Sequence, residues 1–310
     1  MIILLLYVFI ALIILFLILI YFCFSFAFVK HNIGDFDNLD DDINKPIIAY
    51  KEIVKKGMDY IDNTPHTLHN VLSFDGLKLS ALYFDNKSDK TVILFHGYRS
   101  SAKRDFSCAV EMYSKLGFNV LLCDQRSHGK SEGRLITFGI KESKDVLSWC
   151  DYAIYKLLAK QILLGGMSMG ATTVLLSCNY NLKDNVKGIV ADCGFSSPID
   201  IIKTVGKKIF KLNISFIIPF VNLLCLLFGK FSLYNHSTLD AVKKSDIPIP
   251  YIHGKADNFV PFSMSESTYN AKKNNRKLFA VENADHGLSF LVDTKGVMSA
   301  LTEFITENFT

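Results

Sequence analysis

One short segment constrains the fold of this chain more than any other, because it places a serine in a sharp turn between a strand and a helix. The segment is Gly166-Met167-Ser168-Met169-Gly170, and it follows the apolar run Gln161-Ile162-Leu163-Leu164-Gly165. The next stretch, Ala171 to Leu176, is compatible with a helix. In this context a G-x-S-x-G sequence exposes the serine hydroxyl at a sheet edge, and the glycines avoid Cβ clashes in the turn. The pattern therefore predicts Ser168 as a nucleophile, with an ordinary structural turn as the alternative.

The partners expected for such a serine are a carboxylate and a histidine later in the chain, each on a loop after a strand. Asp257 follows a short apolar strand that ends in a glycine turn, and His286 follows another strand-like run. Of the eight histidines, His286 alone lies beyond Asp257. Its imidazole would deprotonate Ser168, and the carboxylate would fix the imidazole tautomer. Asp192, after an earlier strand, is the weaker alternative acid, and a surface or capping role is the simpler expectation for it.

Two backbone amides are expected to hold a negative oxygen beside Ser168. The first belongs to Met169, the residue after the serine. The second is expected from the loop after the buried strand Thr91–Phe95, where the N–H of Tyr98 is the candidate. Each such donor is worth roughly 3–4 kcal/mol at the transition state. We expect His96 to hold this loop rather than to act on a substrate.

Strand-like segments alternate with helical ones over most of the chain, which is typical of a mostly parallel sheet with helices on both faces. Asp75-Gly76 joins the first two strands in a hairpin. The predicted strands are Leu68–Phe74, Leu77–Phe84, Thr91–Phe95, Phe118–Cys123, Gln161–Gly165, Val186–Ala191, Ile249–His253 and Lys277–Val281.

The alternation is interrupted at about residues 198–237. There the chain is apolar from Leu212 to Phe228 apart from Asn213, Ser215 and Asn222. A second membrane span here would put Ser168 and Asp257 on opposite sides of a bilayer, so we predict a helical cap instead. Pro219 is expected to break the apolar run into two short pieces. Two apolar stripes at helical spacing are present, and the second is the candidate to line an acyl pocket or to rest on a bilayer. The alternative is a cap that buries one stripe on the core and the other on its own second helix. The first stripe contains Ile214, Ile217, Ile218 and Val221, and the second contains Phe216, Phe220, Leu223 and Leu227.

Residues 1–29 carry no charged side chain, and Ile2 to Phe22 is long enough to cross a hydrocarbon core of about 30 Å. A cleaved signal peptide is the alternative, because Ser25-Phe26-Ala27 has the small residues of a cleavage site. The run is longer than a usual signal sequence and no basic region precedes it, so an uncleaved anchor is preferred. We therefore predict a single-pass transmembrane anchor at 1–29, an acidic linker at 30–49 and one catalytic domain at 50–310. The anchor is expected to supply no catalytic group, and the positive-inside rule weakly favours a cytoplasmic catalytic domain.

Composition excludes several classes of function. The formal net charge is +4, and no basic face alternates with aromatic residues, so a nucleic-acid partner is not expected. The seven cysteines show no close paired spacing, which favours buried free thiols over disulfides or a zinc site. No cluster has metal-ligand spacing, and neither a metal nor an organic cofactor is expected.

These segments, together with Asp124-Gln125-Arg126-Ser127-His128-Gly129-Lys130-Ser131-Glu132-Gly133, resemble the α/β-hydrolase superfamily from about Val71 to the C-terminus. Within it, the chain is similar to the membrane-anchored serine aminopeptidase-like or monoacylglycerol-lipase-like hydrolases. The resemblance implies the α/β-hydrolase fold, with an eight-stranded, mostly parallel sheet and a helical cap after the N-terminal transmembrane helix. It also implies a packing role, and no catalytic one, for Arg126 and His128.

The residues and the resemblance together predict a membrane-tethered serine hydrolase that acts through an acyl-enzyme. Its substrate would be an ester, thioester or amide, with a small lipid-like acyl ester favoured. One alternative is a peptidase that releases N-terminal residues, which would need an acidic group for the substrate ammonium. The other is a non-catalytic, membrane-bound binding protein with a relic site.

Overall fold

The structure of the chain is a computed structural model, and it describes residues 1–30, 45–211 and 213–309. Most of the predicted linker at 30–49, namely residues 31–44, lies outside the described residues, as do Leu212 and Thr310. The strands are β1 (Thr67–Leu72), β2 (Lys78–Phe84), β3 (Lys90–Phe95), β4 (Asn119–Asp124), β5 (Gln161–Met167), β6 (Val186–Asp192), β7 (Ile249–Gly254) and β8 (Arg276–Val281).

Thirteen α-helical segments accompany the strands within the described residues. They are α1 (Ile2–Phe28), α2 (Lys45–Ile48), α3 (Lys51–Asn63), α4 (Ala102–Asp105), α5 (Ala109–Lys115), α6 (Glu142–Tyr155), α7 (Met169–Leu176), α8 (Pro198–Phe210), α9 (Ile218–Leu224), α10 (Thr238–Val242), α11 (Phe262–Ala271), α12 (Ser289–Val292) and α13 (Thr294–Asn308).

All eight strands form one sheet in the order β1-β2-β4-β3-β5-β6-β7-β8. β2 runs antiparallel to both of its neighbours, and every other adjacent pair is parallel. The predicted α/β-hydrolase fold with an eight-stranded, mostly parallel sheet is confirmed, and each strand starts and ends within two residues of its predicted limits. Parallel strands end at one edge of the sheet, so the loops after β3, β5, β6, β7 and β8 meet there.

Two apolar clusters cover the two faces of the sheet, because side chains alternate along each strand. In β3, Ile93 and Phe95 belong to one cluster, whereas Val92 and Leu94 belong to the other. Helices α6 and α7 cover the first face, and α5 and α13 cover the second. This packing fixes the strand ends that carry the candidate site.

A third apolar cluster joins α1 to the segment between β6 and β7. We call residues 198–237 the cap segment; it contains α8, a 3-10 turn at Ile214–Phe216, α9 and a π-helical turn at Cys225–Gly229. Pro219 lies in the first turn of α9, where its missing N–H costs nothing. The 3-10 turn, α9 and the π-helical turn follow one another as one helical stretch, Ile214–Gly229, so the predicted break of the apolar run at Pro219 is not observed.

Helix α1 is the one helix of the described chain that is long and apolar enough to cross a membrane, a property that an anchor shares with a signal sequence. Its C-terminal part is nevertheless packed on the domain, where Ile20, Phe24 and Phe28 are buried. Immediately after the helix, Val29 pairs with Leu135 as an isolated β-bridge. The end of α1 is therefore part of the folded core, which its position before the first strand did not indicate.

Candidate active site

Ser168 lies in a strained turn between β5 and α7. Its φ is 54° and its ψ is −115°, in the left-handed half of backbone space that non-glycine residues rarely adopt. A Cβ on Gly166 would lie 2.2 Å from the Gly170 carbonyl oxygen, and a Cβ on Gly170 would lie 1.7 Å from the Phe95 carbonyl oxygen. Both glycines are thus required by close backbone contacts, as the sequence pattern predicts.

The structure brings the predicted serine, histidine and aspartate together at the carboxyl edge of the sheet. His286 Nε2 lies 2.9 Å from Ser168 Oγ, and His286 Nδ1 lies 2.7 Å from Asp257 Oδ2. The three residues come from the loops after β5, β7 and β8. This arrangement can pass a proton from the hydroxyl to the imidazole while the carboxylate fixes the ring orientation.

Asp257 is held as a carboxylate by four neighbouring groups. Its Oδ1 accepts the backbone N–H groups of Phe259 at 2.8 Å and Val260 at 2.7 Å. Its Oδ2 lies 3.0 Å from Nε2 of the buried His253, besides the bond to His286. Burial opposes the ionised form, but the hydrogen bonds from His253 and His286 keep the pKa of Asp257 well below its usual range.

Sequence reasoning missed the part that His253 plays beside Asp257. Its Nδ1 lies 2.7 Å from Ser265 Oγ at the start of α11, so the ring is held from both sides. The only signal in the sequence is its place at the end of a buried strand, four residues before the aspartate.

Electrostatics around His286 favour its protonated form. Burial lowers its pKa, but the hydrogen bond and the charge of Asp257 outweigh this effect, and the charges of Asp192 and Asp105 add to it. The pKa of His286 is therefore raised above its ordinary value. A neutral imidazole at this position is a stronger base than a free histidine.

The two predicted oxyanion donors are the N–H of Tyr98, on the loop after β3, and the N–H of Met169, the first residue of α7. Within the described chain, neither the Tyr98 N–H nor the Met169 N–H donates to another backbone group. The neighbouring Gly97 N–H, by contrast, donates to Asp105 Oδ2 at 2.7 Å. This bond holds the loop after β3 and leaves the next amide available.

Side-chain contacts of Tyr98 connect the same loop to α1. Its ring stacks on Phe138 at a centroid distance of 4.9 Å, and its hydroxyl donates to the Ala27 carbonyl at 2.8 Å. The guanidinium of the next residue, Arg99, donates to the Phe26 carbonyl. A cation at this end of α1 is favourable because the last carbonyls of a helix carry partial negative charge.

His96 and His128 support this loop, as their predicted structural roles require. Both rings are buried, and burial lowers the pKa of each. His96 Nε2 accepts from the Gln125 N–H, and His128 Nε2 accepts from the Arg99 N–H, both at 3.1 Å. Arg126 points elsewhere and forms ion pairs with Asp145 and Asp75.

Asp192 does not have the surface or capping role expected for it. It lines the cavity beside Ser168, and its Oδ1 is buried with no hydrogen-bond partner among the described residues. Burial raises the pKa of Asp192 to about 6. The residue stands near the histidine without contacting it and is therefore an electrostatic neighbour.

An apolar cavity of about 840 Å³ opens at Ser168 and His286. This volume lies within the ~300–1,000 Å³ range typical of small-molecule sites. The cap segment and α1 form much of its wall, through side chains that include Cys23, Phe26, Ala27, Ile201, Val205, Ile217, Ile218 and Val221.

Among the residues that the structure describes, one group of side chains is close enough to be considered as a metal site. Cys193, Asp257 and His286 offer ligand atoms that all lie within 4.8 Å of one another. A metal bound through Nδ1 of the imidazole would compete with the His286–Asp257 hydrogen bond. All seven cysteines of the chain are free thiols.

Comparisons with known proteins give the same fold and suggest a class of chemistry. The sequence model of the family described as serine aminopeptidase, S33, matches residues 86–219. The YqkD protein of Bacillus subtilis is 26% identical over 216 residues, which are 69% of this chain and 70% of that protein. The esterase Pf2001 of Pyrococcus furiosus superposes with a TM-score of 0.64 and 28% identity, covering 80% of this chain and 94% of the esterase. Est1E of Butyrivibrio proteoclasticus, solved with ferulic acid, has a TM-score of 0.62 and 22% identity, covering 77% and 98%.

Proposed function

We propose that this chain, which belongs to the α/β-hydrolase superfamily, is a serine hydrolase that cleaves a carboxylic ester, thioester or amide through an acyl-enzyme. The observation that carries the proposal is the continuous hydrogen-bonded series from Asp257 through His286 to Ser168. Hydrolase chemistry is common to the S33 family model and the esterase neighbours. The nucleophile, the base and the acid are our assignment.

In the proposed reaction, Ser168 Oγ attacks the substrate carbonyl carbon while His286 Nε2 takes the hydroxyl proton. The Tyr98 and Met169 amides hold the oxyanion of the tetrahedral intermediate. Collapse of that intermediate breaks the bond to the leaving group, which receives the proton from His286. Water then attacks the acyl-enzyme by the same route and restores Ser168.

The shape and lining of the cavity favour a lipid-like acyl substrate. The wall next to Ser168 is built from aliphatic and aromatic side chains of the cap segment and of α1. Burying apolar substrate surface against such a wall stabilises the bound substrate by roughly 25 cal/mol per Å². A small, strongly polar substrate would leave most of this surface without a partner.

A serine aminopeptidase is the second candidate, because Asp192 supplies an acidic group in the cavity. Its pKa of about 6 leaves it ionised at neutral pH, so it could accept a substrate ammonium. One assay distinguishes the aminopeptidase from the esterase. An aminopeptidase would hydrolyse leucine p-nitroanilide and lose that activity in Asp192→Asn, whereas an esterase would prefer p-nitrophenyl acyl esters.

We also propose that α1 is a retained membrane anchor. Cleavage after Ala27 would remove the buried Phe24 and the two carbonyl acceptors of Tyr98 and Arg99. A cleaved signal peptide gains nothing from such contacts. Detection of the full-length mass in the membrane fraction would support the anchor, and a mature chain that begins after residue 27 would refute it.

The nucleophile is tested by labelling the full chain in detergent with a fluorophosphonate probe. Ser168→Ala should abolish labelling and lower kcat for p-nitrophenyl butanoate by about 10⁶. Ser196→Ala is the matched control, because this half-buried serine on the loop after β6 bonds to Asp200 and does not contact the imidazole. Wild-type activity in Ser168→Ala, or absence of labelling in the native chain, would refute the assignment and leave the binding-protein alternative.

A further inference from the structure

The cavity that contains Ser168 continues to the N-terminal helix. Cys23, Phe26 and Ala27 of α1 line the same space as Ser168 and His286. Tyr98, whose amide is a predicted oxyanion donor, is bonded to this part of α1 through its side-chain hydroxyl. The end of the helix is thus a wall of the substrate site.

The two apolar stripes of the cap segment face opposite directions. Ile217, Ile218 and Val221 are buried and line the cavity, so the first stripe, and not the second, forms the pocket wall. The second stripe is exposed: Phe216 is 62% exposed and Leu227 is 64% exposed. A contiguous apolar face of this kind calls for a partner.

Contacts with α1 connect this exposed face to the candidate membrane span. A helix needs about 20 residues to cross a hydrocarbon core, and α1 has 27. The membrane-spanning part of α1 could therefore start as early as residue 2 and end at 21, or start as late as residue 9 and end at 28. Phe16 lies inside every one of these windows. Phe220 of the exposed stripe packs edge-on against Phe16, with ring centroids 5.1 Å apart. If α1 spans the membrane, this face of the cap segment lies at hydrocarbon depth.

The charges of the cap segment agree with a position at a membrane surface. Within residues 198–237 there are five lysines and a single acidic residue, Asp200. The lysines flank the apolar run and are all exposed; they are Lys203, Lys207, Lys208, Lys211 and Lys230. Basic side chains beside an embedded apolar face fit the headgroup layer of a membrane.

From these observations we infer that α1 and the cap segment together form a bilayer-embedded entrance, through which the acyl chain of a membrane-resident amphiphile reaches Ser168. The inference rests on the proposed hydrolase function and adds to it the source of the substrate and the route that it takes. The exposed stripe contacts lipid, the buried stripe contacts the acyl chain, and α1 closes the remaining side.

The test of the pocket wall compares two alanines of the same helix in the full chain, reconstituted into phosphatidylcholine vesicles. Ala27→Trp fills the cavity beside the serine, whereas Ala11→Trp adds the same bulk at an exposed position outside it. The readout is kcat/KM for p-nitrophenyl hexadecanoate divided by that for p-nitrophenyl butanoate. Ala27→Trp should lower this ratio by about tenfold, the effect of losing one or two buried methylene groups, and Ala11→Trp should not change it. Cys23→Phe should act like Ala27→Trp and replaces it if that variant does not fold.

The test of the bilayer face uses Leu223→Asp and Leu227→Asp, two exposed positions that do not line the cavity. Each should lower hydrolysis of vesicle-embedded hexadecanoate relative to soluble butanoate by about tenfold, since a charge is costly in hydrocarbon. An unchanged ratio in these variants and in Ala27→Trp would overturn the inference. So would a change confined to the oligomeric state in detergent, which would identify a second copy of the chain as the occupant.

Failure of the proposed function has a different signature. A chain that hydrolyses neither ester and does not react with fluorophosphonate would remove the hydrolase assignment, and this inference with it. A chain that reacts with the probe and hydrolyses both esters at equal rates would keep the hydrolase and lose the entrance.

Discussion

Replacing Asp257 by asparagine tests the proposed relay most sharply, because the two oxygens of the carboxylate have different partners. Oδ1 accepts two backbone N–H groups, and Oδ2 faces the imidazoles of His286 and His253. An amide has one oxygen and one NH2 group. Turning the NH2 group toward the two backbone donors would leave them unsatisfied, at about 1–3 kcal/mol each. The amide oxygen should therefore take the place of Oδ1 and accept the two backbone N–H groups.

In the Asp257→Asn variant, the NH2 group of the new amide is then directed at His286. Nδ1 of His286 must become an acceptor, so the neutral ring carries its proton on Nε2, facing Ser168 Oγ. A ring in this tautomer cannot take the serine proton. We expect kcat to fall by about 10⁴, which corresponds to about 5.4 kcal/mol of barrier at 1.36 kcal/mol per factor of ten.

The assay is the hydrolysis of p-nitrophenyl butanoate by the full chain in detergent, with kcat and KM measured separately. Asp192→Asn is the matched control, because it removes a carboxylate that influences His286 without contacting it. We expect that variant to lose less than about tenfold. A larger loss in Asp192→Asn than in Asp257→Asn would place the acid after β6 and refute this reasoning.

Three further predictions concern pH, packing and stability. His286 must be neutral to act as a base and its pKa is raised, so kcat/KM should rise with pH through a midpoint above about 6.5. Asp192→Asn removes a negative charge near the imidazole and should move this midpoint to lower pH. A shift of the midpoint to higher pH would contradict the electrostatic account. Gly170→Ala should reduce the free energy of unfolding, measured in urea, by about 3 kcal/mol or more, because the added Cβ would lie 1.7 Å from the Phe95 carbonyl oxygen. Gly194→Ala should reduce it less, because the nearest contact of that Cβ is 3.1 Å. Equal losses in the two variants would contradict the steric argument. Arg126→Met should destabilise the fold by about 3–5 kcal/mol, because it leaves the buried Asp145 without its ion pair; a thermal unfolding midpoint equal to that of the native chain would show that the pair is dispensable.

The sheet and the three proposed catalytic residues could be predicted from sequence because their signals are local. A strand such as β3 is a short apolar run that can be recognised by composition. The G-x-S-x-G pattern indicates a tight turn, because only glycine fits the close backbone contacts at positions 166 and 170. Chain order then reduces the choice of histidine to His286. None of these steps requires knowledge of long-range packing.

Other features depend on tertiary contacts that a sequence does not encode locally. An apolar helix has the same composition whether it faces lipid or protein, so the docking of Phe24 and Phe28 was not visible. The two stripes of the cap segment are equally apolar, and only the fold decides which one faces the cavity. The environments of His253 and Asp192 likewise follow from the packing of β6, β7 and α11 around the site.

The pairing of Val29 with Leu135 has a consequence for where this protein can work. Because Val29 is paired with the domain directly after α1, the helix is attached to the domain at this point of the chain. Lys30 reinforces the attachment by donating its N–H to the Arg134 carbonyl at 2.8 Å. If α1 is a membrane anchor, the serine is held at one depth and in one orientation, and catalysis is confined to molecules of the same leaflet and the same membrane.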